Sequence, residues 1–444
     1  MKEPFADGLS FCSSFAIGLA ISTGHPAGLA AAFAMPVVCL TGGSRRSAFR
    51  NASAYYSAGL WPMVPGLQRY LGHSADLLTA ILIWSGSSIL LSLPWTLAWT
   101  SDRHSQYWWR VLLASLTGIV PPLGLIGFIS PVVGAGYLFP GTGWFGLAAT
   151  ALLPGIVLAL SHSSASSARI GLRVALTAGV AMGICAHAFI AGLPALPARW
   201  EAVNTKFGDL SRPFRDFSAA QWIQEHIAAS QARVVIFPEF VVPFWTDATR
   251  DFWSRTLLSC RSRGLVLAIG AGLPRERVGS SNGRKDVDLV NSYDFLAAIQ
   301  ALQLNGKSSP PAVPFERRPS DPISAHPAAY DNTLLILGAE SSTFYQRVPV
   351  PIGMWQPLSH NGVPLRLAAP GVVKIDGQRV AVLICYEQIL TYPILASMLQ
   401  HPTVLVGISN TFWFDGTSIP RYQASAVQAW ARLFGVPYLL AVNS

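Results

Sequence analysis

Charge is unevenly spread along this chain, and that limits what it can fold into more than any motif does. Residues 1–198 carry few charged side chains and run through long apolar stretches, whereas residues 199–444 read as ordinary mixed sequence. Only 12% of the chain is charged against 51% hydrophobic, with a mean hydropathy of +0.40. Soluble domains carry roughly twice that charge, and about 20 mostly apolar residues suit a membrane-spanning helix. The chain is therefore expected to divide into a membrane domain over 1–198 and an α/β domain over 199–444.

Seven apolar segments are candidate spans: 8–23, 26–43, 51–66, 76–100, 111–129, 143–161 and 174–195. The third, NASAYYSAGLWPMVPG, is the shortest and most polar. The first is followed after Gly24-His25 by another apolar stretch, the pattern of a helical hairpin rather than of a cleaved signal peptide. Arg45, Arg46 and Arg50 follow the second segment, Arg103 and Arg110 the fourth, Arg169 and Arg173 the sixth. The opposite side offers Arg69 alone, and the loop SPVVGAGYLFPGTGW has neither Lys nor Arg. This bias predicts a multi-pass protein with its N-terminus and arginine loops in the cytoplasm. Residue 199 onward then falls on the outer face, the periplasm of a bacterial inner membrane. The formal net charge of +9 is explained by these loops. No nucleic-acid-binding motif is present, so nucleic acid is not an expected partner. His187, inside the last segment, reads as a packed or interfacial residue.

From residue 199 short apolar runs alternate with helical patterns, which predicts layered α/β structure. WEAVNTKF, ARVVIF, GLVLAIGAGLP, NTLLILG, the run through SSTFY, QRVAVLI, PTVLVGIS and PYLLAVNS read as strands. SAAQWIQEHIAASQ and the stretch from PRYQ read as amphipathic helices, and residues 274–328, rich in Pro, Ser, Gly and charge, as an insertion. The five cysteines, Cys12, Cys39, Cys185, Cys260 and Cys385, show no metal-ligand spacing, and no metal or cofactor is expected. A Cys260–Cys385 bridge stays open as an alternative that would consume the second thiol.

Two apolar strands end in isolated reactive groups: ARVVIFPEF delivers Glu239, and QRVAVLICYE delivers Cys385. Alone, Cys385 is most simply a core cysteine, since free cysteine is among the most buried residue types. Ligands of open α/β sheets bind at the carboxyl ends of strands, so the two groups are expected to meet over one cleft, about 4–6 Å apart, where charges perturb one another. There Glu239 can deprotonate Cys385, the thiolate can take an acyl group, and a second nucleophile can release it. The Tyr386 backbone N–H is placed for an oxyanion hole.

FPEF and LICYE resemble the acid and nucleophile motifs of the nitrilase, or carbon–nitrogen hydrolase, superfamily. That resemblance implies a four-layer α-β-β-α sandwich with a Glu-Lys-Cys triad and no cofactor. An apolar half joined to such a domain, with GYLFPGTGWFGL, ISNTFWFD and LLAVNS, is similar to the apolipoprotein N-acyltransferase branch and to its relatives on conjugative plasmids. The resemblance implies Glu239 as base, Cys385 as nucleophile, and Tyr386, Glu387 and Trp413 as substrate-binding residues. It implies a membrane lipid as acyl donor, and lipoprotein or conjugation-apparatus proteins as partners. The branch continues past the position of Ser444 with further strands and a last membrane helix, which implies either a shorter protein or a truncated sequence here. The family lysine has no counterpart: the register puts Gln346 in its place, with Arg347 adjacent, and Met354 where a second Glu belongs. Strand alternation keeps Gln346 in the pocket and turns Arg347 away; a bulge near Pro349 reverses them. Two functions follow as expectations, a membrane-bound acyltransferase or amidase acting through a Cys385 thioester, and a weak or inactive nitrilase-fold scaffold of a conjugation system.

Overall fold

The computed structural model describes residues 3–71, 77–101, 107–161, 192–210, 215–275, 329–357 and 361–444, with isolated positions between 171 and 187. The expected insertion at 274–328 and the seventh span at 174–195 lie almost wholly outside the described residues.

Ten strands form two sheets among the described residues. The first orders β1 (Trp200–Ala202), β2 (Val234–Ile236), β4 (Val266–Pro274), β5 (Tyr330–Gly338) and β6 (Ser342–Tyr345), with β3 (Val242–Phe244) also paired to β4. The second orders β10 (Tyr438–Asn443), β9 (Val404–Asn410), β8 (Gln378–Ile384) and β7 (Val372–Ile375). β3 and β7 are not separate strands in the sequence reading, because each is only three or four residues long and begins close to a neighbouring strand. In the first sheet β1–β2 and β2–β4 pair in parallel and β4–β5 and β5–β6 antiparallel; in the second β10–β9 and β9–β8 are parallel and β8–β7 is antiparallel.

Alternation along the strands builds four layers. Val380, Val382 and Ile384 of β8 meet Val234, Ile236, Leu334 and Ile336 of the first sheet between the two sheets. Ala381 and Leu383, pointing the other way, pack beneath Ile394 and Met398 of helix Thr391–Met398 and Val427 and Trp430 of helix Ile419–Phe434. On the outer face of the first sheet, Val235, Leu267 and Ile269 are covered by Ile223 and Ile227 of helix Arg215–Ala229 and Trp253 of helix Asp247–Ser262. Cys260 and Cys385 are both free thiols, so the bridge between them is not formed.

The apolar half differs from a set of seven uniform spans. Leu77–Ala98 and Trp144–Ser161 are long and apolar enough to cross a membrane. The remaining described segments are shorter apolar helices or broken ones. The 26–43 segment is divided into Pro26–Ala31, a 3-10 turn and Met35–Leu40, each α piece beginning with a proline at its first or second position. The 51–66 segment is split between Arg45–Leu60 and Met63–Leu71, with Pro62 at the break. The 111–129 segment ends its helix at Ile119, just before Pro121-Pro122. A proline removes a backbone donor and crowds the preceding turn, which sequence hydropathy does not register. Leu78, Leu82, Ile89, Leu90, Leu93 and Leu97 stand exposed along Leu77–Ala98, a face that water disfavours.

The apolar half shares one hydrophobic core with the outer helix layer of the second sheet. The Tyr422 hydroxyl accepts the Ile129 N–H at 3.0 Å, while Tyr55 donates to the Ile129 carbonyl at 2.7 Å. Tyr137 donates to the Ser425 carbonyl at 3.1 Å, and the His187 ring lies 2.8 Å from the Tyr137 carbonyl. Backbones touch directly at Gly136, where an added Cβ would collide with the Ala429 carbonyl. Gly136→Ala is therefore expected to unseat helix Ile419–Phe434 and lower the melting temperature of purified protein in detergent. Gly86→Ala, whose Cβ would meet nothing, should leave it level or raise it, since alanine outdoes glycine inside a helix by about 0.5–1 kcal/mol.

Candidate active site

β2 runs out at Ile236, and the chain passes through Phe237 and Pro238 to Glu239. β8 ends at Ile384, and the next residue, Cys385, starts a short 3-10 turn with φ 49°. A non-glycine residue in this left-handed region is strained and is held there by its surroundings. The Cys385 thiol and the Glu239 carboxyl lie within hydrogen-bond reach of each other. Both sit at carboxyl ends of parallel-sheet strands facing across the sandwich.

Glu239 is buried and its carboxylate is fully engaged. Asn332 Nδ2 donates to Oε1 at 2.6 Å, and the Asn410 backbone N–H donates to Oε2 at 2.9 Å. Asn332 lies on β5 between Asp331 and Thr333; it also donates to Gln346 Oε1 at 3.0 Å. Gln346 in turn donates from Nε2 to the carbonyl of Ile384 at 3.1 Å, the residue before the thiol. Thus Glu239, Asn332 and Gln346 form one chain of hydrogen bonds ending beside Cys385.

Arg347 points the other way. Its guanidinium donates to the Pro393 carbonyl at 3.1 Å and lies 3.5 Å from the carboxylate of Glu387, both side chains fully buried. Glu387 Oε1 also accepts the backbone N–H groups of Arg347 at 2.6 Å and Val348 at 3.0 Å, and Oε2 accepts that of Ile384 at 3.1 Å. Glu387 therefore braces the turn and does not face the thiol. The Tyr386 side chain leaves the site as well. Its hydroxyl donates to the Leu125 carbonyl at 2.8 Å and its ring meets Phe128 edge-on at 6.3 Å. Of the two residues expected to bind substrate after the cysteine, only the Tyr386 backbone N–H faces the sulfur, together with that of Asn410. Met354 is buried.

Trp413 lies on the turn after β9 and packs edge-on against Tyr70 at 5.7 Å. Tyr70 comes from the apolar half, on helix Met63–Leu71, and its hydroxyl is in electrostatic reach of Tyr330, Cys385 and Glu239. Its ring passes so close to Gly353 that a Cβ there would strike it. Neither Asn332 nor Tyr70 is marked by the sequence reading. The signal available for Asn332 was the polar start, Asp331-Asn332-Thr333, of a strand that continues as the apolar run LLIL; for Tyr70 there was none.

Burial raises the Cys385 thiol well above its ordinary range, and the charge of Glu239 raises it further; the two backbone N–H groups lower it in part. Burial likewise raises Glu239, against the hydrogen bonds from Asn332, Cys385 and Asn410. Among the described residues no lysine or arginine acts on either group. The resting sulfur is a neutral thiol, because a raised pKa means less thiolate at a given pH. Alkylation of Cys385, followed at its own peptide, should therefore be slow at pH 7 and climb about tenfold per pH unit without levelling off near the usual thiol pKa of about 8.5. Gln346→Lys places a cation beside the sulfur, and an opposite charge at such range shifts a pKa by about 1–3 units. Labelling at pH 7 should rise at least about tenfold. Arg347→Ala should lower the melting temperature, since it strands the Glu387 carboxylate.

The fold and this pair define a two-sheet α/β sandwich with a carboxylate-paired thiol at adjoining strand ends, joined to an apolar helical half. No family model matches the chain. Along almost its whole length it is similar to two curated relatives. One is the probable conjugal transfer protein TraB of Sinorhizobium fredii, 29% identical over 97% of both chains. The other is the conjugal transfer protein TraB of Agrobacterium fabrum, 27% identical over 97% of this chain and 91% of the relative. Solved structures that resemble it in part include a cysteine-to-alanine mutant of a Nesterenkonia amidase from the nitrilase superfamily, at a TM-score of 0.32 and 12% identity over 57% of this chain and 79% of that one. Another is an amidase from Nesterenkonia sp., at a TM-score of 0.32 and 15% identity over 57% of this chain and 80% of that one.

Proposed function

We propose that this chain is a membrane-bound cysteine acyltransferase, or a related amidase, that serves conjugal transfer. The observation that carries the proposal is the Glu239–Cys385 contact, with the cysteine held at φ 49° on a strand end. In this proposal Glu239 takes the Cys385 proton as sulfur attacks an acyl carbonyl. An S–C bond forms, the bond from the acyl carbon to its amine or alcohol breaks, and Glu239 returns the proton to the leaving group. The backbone N–H groups of Tyr386 and Asn410, which already face the sulfur, are the nearest donors to the developing oxyanion. A second nucleophile then releases the acyl group. A membrane lipid is the proposed acyl donor, and a lipoprotein or a protein of the conjugation apparatus the proposed acceptor or partner. The apolar segments and the arginine bias support a multi-pass arrangement with the α/β half on the periplasmic side.

A second function, a scaffold of weak or no activity, is favoured by one observation: the position beside the thiol is occupied by neutral Gln346. Mass spectrometry of protein purified from membranes separates the two. The acyltransferase should carry an acyl adduct on Cys385 that hydroxylamine removes and that Cys385→Ala lacks, and the same substitution should lower plasmid transfer by at least about tenfold, a loss of one preorganised catalytic group being worth a hundredfold or more. Transfer at the wild-type frequency in Cys385→Ala would leave the scaffold. For topology, a reporter that is active only when exported should be active when fused after Arg250; activity there of a reporter confined to the cytoplasm would remove the periplasmic placement.

A further inference from the structure

Helix Ile419–Phe434 belongs to the outer layer of the second sheet, yet one polar side chain near its start is buried against the thiol turn. Gln423 donates from Nε2 to the Cys385 carbonyl at 2.7 Å. The other buried residues of that stretch include Tyr422, Ala426 and Val427. A carboxamide in such a place costs free energy unless it is hydrogen-bonded, and the bond it makes falls on the backbone of Cys385. The peptide unit held in this way joins Cys385 to Tyr386. Its carbonyl is the one Gln423 grips, and its N–H is the Tyr386 N–H that faces the sulfur. A trans peptide is planar, with C=O and N–H pointing in opposite directions, so fixing one end aims the other. The carbonyl is drawn toward the helix, and the N–H therefore points away from it, toward the thiol. Cys385 at φ 49° is in a conformation that local sterics disfavour, so outside contacts must hold the plane. Glu387 takes the Ile384 N–H one residue earlier at 3.1 Å. The Tyr386 side chain is tied to the Leu125 carbonyl one residue later at 2.8 Å. Gln423 holds the plane itself. It is placed in turn by its neighbour Tyr422, whose hydroxyl accepts the Ile129 N–H at 3.0 Å and whose backbone packs so close to Gly24 that a Cβ there would strike it.

We propose that Gln423 is the positioning residue for the oxyanion donor of this site: by gripping the Cys385 carbonyl it aims the Tyr386 N–H at the oxygen that turns negative when sulfur adds to an acyl carbonyl. The inference rests on the assignment of Cys385 as the reactive group. Gln423 touches neither the sulfur nor the substrate; it acts through one peptide plane. Hydrogen bonds in series polarise one another, so the same grip also strengthens that N–H as a donor.

Two reactions of the same thiolate separate aim from stability. p-Nitrophenyl acetate is attacked at its carbonyl: the S–C bond forms, the carbonyl oxygen gains negative charge, and the C–O bond to p-nitrophenolate breaks, with the thiol proton left on Glu239. Iodoacetamide is attacked at a saturated carbon, iodide leaves, and no oxyanion forms. Both rates scale with the thiolate present, which Glu239 and Tyr70, the titratable groups in reach of the sulfur, set alike for the two reagents. The ratio of acylation to alkylation therefore reports the oxyanion donors. Each rate is measured at pH 7 on full-length protein in detergent, as the difference from Cys385→Ala. Gln423→Met, similar in size but without the N–H, should lower the ratio at least about tenfold, a lost oxyanion donor being worth about a hundred- to thousandfold. Gln423→Asn, polar and one methylene short, carries the same expectation should Gln423→Met not fold. Gln388 is the comparison: it is also buried and donates to the Leu383 and Ile408 carbonyls at 3.1 and 2.9 Å, away from the Cys385–Tyr386 plane. Gln388→Met should lower the melting temperature and leave the ratio level. An unchanged ratio in the Gln423 variants, or an equal fall in Gln388→Met, would overturn the proposal. p-Nitrophenol release that persists in full in Cys385→Ala removes the reactive cysteine and the acyltransferase with it, whereas Cys385-dependent release at an unchanged ratio removes the role of Gln423 alone.

Discussion

Three backbone N–H groups and one guanidinium converge on the fully buried carboxylate of Glu387, and the geometry of the thiol site follows from that convergence. By accepting from Ile384, it pins the end of β8 and the turn in which Cys385 adopts its strained conformation. By accepting from Arg347 and Val348, it fixes the segment after β6 against that turn. Once Arg347 is drawn toward Glu387, alternation sends Gln346 to the opposite side, beside Asn332 and the Ile384 carbonyl. Buried ion pairs repay their desolvation only when the remaining hydrogen-bonding capacity is also used. Glu387 meets that condition; Arg347 Nε, with no hydrogen-bond partner, meets it less well.

The same arrangement explains why a neutral thiol sits next to a carboxylate. The chain spends its nearby arginine on structure, on the helix side of β8. What remains at the sulfur is an acid, two amides and two backbone donors. Such a site holds the thiol protonated, which makes it a poor nucleophile at rest.

The apolar half is not merely an attachment. It shares a core with helix Ile419–Phe434, anchors the Tyr386 side chain through Leu125, and sends Tyr70 to the thiol site. The surroundings of Cys385's turn are therefore tied to the apolar half, in which Leu77–Ala98 carries an exposed leucine face. The contacts are short: Tyr386 is adjacent in sequence to the thiol, and Tyr70 is in electrostatic reach of it.

Much of this was legible in the chain itself. Continuous apolar runs identify β8 and β9, because side chains on successive residues face opposite layers and both layers are apolar. A lone Glu and a lone Cys at the ends of such runs mark themselves, since a polar group there has to be accommodated. Alternation alone separates Gln346 from Arg347. Prolines at 26, 36, 62, 121 and 122 were also present to be read, yet hydropathy averages over them, and so the apolar half breaks into shorter helices than the windows suggest. Tertiary structure alone decided the rest. Asn332 reaches Glu239 across 93 residues, and Tyr386 reaches Leu125 across 261. Glu387 and Tyr386 follow the thiol directly, but the direction of their side chains depends on where the Arg347 segment and the apolar half dock. Local pattern specifies which face a strand residue takes; which distant group waits on that face is set by how the layers stack.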